Sequence, residues 1–170
     1  MVALLSKRMG FIMTNEMLKT YTARITQASQ SELVVILYDI ILEDIKSAQK
    51  ADQEGKKEVV EAELKHGQKF LQELMGTLDF SYSIAHDLMN LYIYVNQLLL
   101  TSIIKKQDEE LDTAAFVLTK LKEGFLQISK EDTSGPIMQN TQQIYAGLTY
   151  GKGVLNETSL NNYNDRGFKA

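Results

Sequence analysis

The chain has 170 residues, 44% of them hydrophobic, a size that suits one soluble domain with roughly two-thirds of its unfolded surface buried. A formal charge of -4, with basic residues clustered only in pairs such as Lys56-Lys57 and Lys105-Lys106, excludes a phosphate-gathering field, so nucleic acid is not an expected partner. Without cysteine there is no disulfide framework, thiolate nucleophile or cysteine-based zinc site, and a reducing, cytoplasmic setting is expected.

Residues 1–13, MVALLSKRMGFIM, carry an apolar run of four residues before Ser6, Lys7 and Arg8, shorter than a secretion signal needs, and read as an N-terminal extension. Next, Leu18, Tyr21 and Ile25 share a face of a short helix. The stretch ASQSELVVILYD, residues 28–39, holds six apolar residues in a row, which suit a buried strand as well as a helix. Ser29-x-x-Glu32 decides for helix: serine and glutamate at this spacing satisfy each other's free amides at a helix start. Leu33, Leu37, Ile41 and Ile45 then follow at steps of four.

Three further helices are predicted over 56–78, 81–106 and 108–129. The first carries Val60, Leu64, Leu71 and Leu74 on one face; the second Ile84, Leu88, Leu91, Val95 and Leu98; the third Leu111, Leu118, Leu121, Phe125 and Ile128. The joins near Asp52–Gly55, Asp79–Phe80 and Gln107 are short, which makes successive helices antiparallel neighbours. The predicted fold is all-α, an antiparallel up-down four-helix bundle with a short N-terminal helix and a long C-terminal tail. Residues 1–13 form the extension, 14–129 the bundle and 130–170 the tail. Pro136 and half of the ten glycines fall in that tail, yet Ile137, Ile144, Tyr145, Leu148, Leu155, Tyr163 and Phe168 recur through it, which predicts that part of it is ordered or docked on the bundle. Asp39 interrupts one long apolar stretch and Asn90, Asn96 and Gln97 another, so no membrane insertion is expected.

The predicted helices are greasier than a bundle requires. On the helix that starts after Ser29, Asp39, Glu43, Lys46, Ser47 and Lys50 fall in one arc, and apolar residues fill roughly 220° of the rest, with Asp44 and Gln49 as exceptions. Between Ser81 and Ile104 the only charge is Asp87, and Met89, Ile93 and Leu100 lie opposite the face set by Leu91, Val95 and Leu98. Four to six side chains left uncovered would expose on the order of 500 Å², near the upper end for a monomer, and ~12 kcal/mol of transfer free energy would favour a cover. The tail, a second copy of the chain, or a partner's amphipathic helix in a groove are the candidate covers. Tyr38, Tyr82, Tyr92 and Tyr94, each with an apolar body and a polar tip, suit the edge of such a groove.

Catalytic chemistry finds little support. Glu63-x-x-His66 is half of a di-iron carboxylate pattern, but His86 is preceded by Ser83 rather than glutamate, so the ligand count fails and no metal or cofactor is expected. Gly151-x-Gly153 lacks the third glycine of a phosphate loop. A non-catalytic protein is the expectation.

Taken together, Tyr21, Ala28, Ser29, Glu32, Leu33, Leu37, Tyr38 and Asp39, then Glu73, Leu74, Leu78 and Asp79, then Leu91, Tyr92, Tyr94, Leu99 and Leu111, resemble the ordered pattern of the flagellar export chaperones, the FliS family, over about residues 14–129. Gln30 stands where that family prefers proline, Ser102 and Ile103 replace an Ala-Asn pair, Leu98 an arginine and Phe125 a tryptophan. The resemblance implies a cytosolic chaperone that holds the disordered C-terminal segment of flagellin in hydrophobic grooves, blocks premature polymerisation and assists delivery to the export gate protein. It implies groove residues among Tyr21, Ile25, Leu33, Leu37, Tyr38, Leu91, Tyr92, Tyr94 and Leu98, and an N-terminal segment that lies over the groove and moves when the client arrives. The alternative is a non-catalytic structural bundle that homodimerises through its surplus apolar face.

Overall fold

The computed structural model describes residues 15–106 and 109–137; the extension over 1–13 and the tail beyond 137 lie outside them. The described residues form five helices and no strand: α1 (Asn15–Gln27), α2 (Gln30–Gln53), α3 (Lys57–Gly76), α4 (Ile84–Lys105) and α5 (Leu111–Glu131). α2 begins where its capping box predicts: the Ser29 hydroxyl accepts from the Glu32 amide at 3.3 Å, and the Ser29 amide donates to Glu32 Oε2 at 2.8 Å. It ends at Gly55, whose φ of +72° lies in the left-handed region that glycine enters without a Cβ clash. α4 starts later than residue 81 because the Asp79 carboxylate accepts from the Ser81 amide at 2.9 Å, and the Asp79 carbonyl from the Tyr82 amide at 3.2 Å, winding a turn first.

α2 packs along α3 and α5, and α4 closes against the same two helices; α1 lies against α2. The cavity at one end gathers the start of α2, the end of α3, the start of α4 and the end of α5. At the other end Lys57 Nζ, in the first turn of α3, donates to the Lys106 carbonyl at 3.0 Å and pairs with Asp52 of α2, while Gln49 donates to Asp112 of α5 at 2.7 Å. Across the middle, Tyr38 of α2 and Tyr92 of α4 share a hydroxyl–hydroxyl hydrogen bond of 2.5 Å, and the Tyr38 ring lies 5.7 Å from that of Phe125 on α5.

The wide apolar arc of α2 is corrected in one respect: most of its second side is covered by the chain's own helices. Eleven residues of α2 are buried, from Leu33 through Ile40 and Ile41 to Ala51, because α1, α3 and α5 enclose it, with Ile25 and Ala28 joining the same core. Even its charged arc is used, since Asp39 pairs with Arg24 of α1 at 2.8 Å and Lys122 of α5 at 2.6 Å. Beyond α5 the chain turns back: Asp132 accepts from the Ser31 hydroxyl, and the Ile137 amide donates to the Ala28 carbonyl at 3.1 Å, fastening this segment to the junction of α1 and α2.

Candidate functional site

Four helices end around one apolar cavity of about 430 Å³. Leu33, Val34 and Leu37 face it from α2 and Leu74 from α3. Ala85, Leu88 and Tyr92 come from α4, Phe125 and Ile128 from α5. The join over 77–83, the start of α4 and the last turns of α5 form its rim: Tyr82 is 65% exposed, Ile84 59% and Ile128 55%. Polar groups at the mouth are few, chiefly Gln30, Ser31, Asp79, Asp132 and Ser134. Such a space is shaped for two or three aliphatic or aromatic side chains presented together.

The nine residues expected to form a groove separate into three groups. Leu33, Leu37 and Tyr92 line the cavity and are at the same time buried members of the core. Leu91 and Tyr94 are exposed on α4, on the side away from Asn96, which accepts from Gln68 of α3; they therefore face the seam with α5. Ile25, Tyr38 and Leu98 are buried in the core, and Tyr21 is half-buried on α1 beneath the Arg24 guanidinium, 5.5 Å from its ring. No described side chain of α1 lines the cavity. Leu74, Ala85, Leu88 and Phe125 were missed as site residues because their helical spacing reads as core, and spacing alone does not reveal where a helix outruns its neighbours.

Opposite the core, α4 shows Ile93, Leu100 and Ile104 at 44%, 45% and 70% exposure. Here the sequence-based expectation of surplus apolar surface holds: between Ile84 and Ile104 the helix offers water a single charge, Asp87.

A buried polar cluster joins α2 to α3. Both carboxylate oxygens of Asp44 lie within hydrogen-bond reach of His66 Nδ1, at 2.8 and 3.0 Å, while His66 Nε2 is buried without a partner. Burial raises the pKa of Asp44, and the His66 contact offsets part of that rise. Glu63 is 9% exposed beside the pair, and burial with the Asp44 charge pushes its pKa up to about 7. Among the described residues no group of three or more histidine, aspartate and glutamate side chains is placed to hold a metal ion.

The sign of the pH effect follows from Glu63. An acid whose folded pKa lies above its unfolded value favours the folded state below about pH 4.5, and that contribution is lost as the pH rises through about 7. Glu63→Gln is expected to flatten the decline in melting temperature between pH 5 and pH 8 and to raise it at pH 8, with Asp44 leaving a residual slope; thermal unfolding at the two pH values checks this.

A family model described as flagellar protein FliS matches residues 13–132, more than half of the chain, from just before α1 to just past α5. The chain belongs to the FliS family. No curated protein matches it. The FliS match takes in every described residue that lines the cavity except Ser134. It also takes in the Tyr38–Tyr92 bridge and the exposed face of α4. Among the described residues no helix of this FliS-family chain is long and apolar enough to cross a membrane.

Proposed function

We propose that this FliS-family chain is a non-catalytic cytoplasmic export chaperone, an antiparallel up-down four-helix bundle over residues 14–129, that holds the disordered C-terminal segment of flagellin, prevents its polymerisation and passes it to the export gate protein. The family match supports the flagellar chaperone role. The observation that carries the reading to a client is the apolar cavity at the α2, α3, α4 and α5 ends, open through exposed Tyr82 and Ile84. Leu33, Leu37 and Tyr92 would hold the client's apolar anchors within it. Leu91 and Tyr94 would carry the client along the α4–α5 seam, with Tyr38 and Leu98 supporting that surface from beneath and Tyr21 and Ile25 docking the N-terminal helix. A disordered client loses chain entropy on binding but buries its anchors, which gives a complex firm enough to carry and weak enough to release.

Homodimerisation through α4 is the lesser reading. Its outer stripe of Ile93, Leu100 and Ile104 exposes on the order of 300 Å², against ~800 Å² per partner in a typical stable interface. Calorimetric titration with a flagellin C-terminal segment is expected to show low-micromolar binding, and Ile84→Asp, a change at an exposed position, to weaken it about tenfold with the helical circular dichroism unchanged. Absence of heat with the wild-type chain at tens of micromolar (about –6 kcal/mol of binding free energy) overturns the reading.

A further inference from the structure

Among the described residues the only charged side chains lining the cavity are two carboxylates, Asp79 from the join between α3 and α4 and Asp132 from the segment after α5; no described lysine or arginine accompanies them. Neither takes part in an ion pair among the described residues. Both are hydrogen-bonded, but only to neutral donors. Asp79 accepts from the Ser81 amide at 2.9 Å, and Asp132 from the Ser134 amide at 2.9 Å and the hydroxyls of Ser31 and Ser134. These contacts hold both carboxyls below the usual carboxylate range, so each keeps its charge without having it cancelled. Turn formation accounts for the serine contacts; it does not account for two uncompensated negative charges on one apolar mouth.

We propose that Asp79 and Asp132 act as specificity-determining residues, so that the cavity accepts an amphipathic helical segment whose apolar anchors are flanked by lysine or arginine and rejects one flanked by acidic residues. The inference rests on the chaperone reading and names the chemistry of its client. A basic flank reaches a carboxylate while the anchors fill the cavity; an acidic flank meets two like charges near a low-dielectric wall, and that repulsion discriminates more strongly than the attraction does. Rim charges of this kind act mainly on association rate and salt dependence.

Two synthetic amphipathic peptides with identical leucine anchors, one with lysine flanks and one with glutamate flanks, test this by titration into the full chain beside the flagellin segment. The lysine peptide is expected to bind at least about tenfold more tightly at low salt, with the difference shrinking at high salt. Asp79→Asn and Asp132→Asn together should remove most of that discrimination. Because Asp132 also fastens the segment after α5, Asp79→Asn alone, at an exposed turn, is the second variant, expected to reduce the preference about threefold. Equal affinity for the two peptides, or an unchanged preference in both variants, overturns the inference; if the flagellin segment still binds, the chaperone reading stands. Failure of all three ligands to bind overturns both.

Discussion

Asp44→Ala lowers the stability of the fold by about 3–5 kcal/mol, the range for removing one partner from a buried, hydrogen-bonded pair. The side chain is 3% exposed and is, among the described residues, the sole hydrogen-bond partner of the His66 ring, whose other nitrogen is already buried without one. Removing the carboxylate therefore strands an imidazole between α2 and α3, edge-on to Phe70 at 4.9 Å, with both nitrogens cut off from water. Asp44→Ala/His66→Leu is expected to recover much of the loss, because no polar group then remains to be desolvated. Urea denaturation of the single and double variants measures both effects. A loss under about 1 kcal/mol for Asp44→Ala would show that the pair is wet or unformed in solution.

Tyr38→Ala is expected to cost about 3–5 kcal/mol, since it removes a large ring from a position with 0% exposure. The ring joins three helices at once: it sits on α2, bonds through its hydroxyl to Tyr92 on α4 and meets Phe125 of α5. Tyr38→Phe separates the two contributions. It keeps the ring but leaves the Tyr92 hydroxyl without its partner, at about 1–3 kcal/mol, and adding Tyr92→Phe should return most of that loss. Equal destabilisation by Tyr38→Phe and Tyr38→Ala would mean that the hydroxyl contact, and not the ring packing, holds α4 to α2.

Much of the helix order is legible from local chemistry. Ser29 and Glu32 fix the start of α2, and the near absence of charge from Ile84 to Ile104 marks α4 as a helix with apolar residues to spare. What covers α2 is not legible in the same way, because periodicity gives the width of an apolar face and not the number of neighbours that share it. Asp44 appears as an exception on an apolar arc for a related reason: its partner lies 22 residues away on another helix. Ile84 and Ile128 fit the core pattern yet stand at the cavity mouth, since a residue near a helix end keeps its phase after the opposing helix has stopped. Asp79 and Asp132 come together only through the fold, from opposite sides of two helices in the chain.

The bond from the Ile137 amide to the Ala28 carbonyl, with Asp132 held by Ser31, makes a clasp between the beginning and the end of the described chain. Ala28 lies just past α1 and Ser31 in the first turn of α2, so displacing α1 would strain the same joint that holds the returning segment. Loosening the joint between α1 and α2 would therefore also free the part of the chamber wall that Asp132 and Ser134 complete.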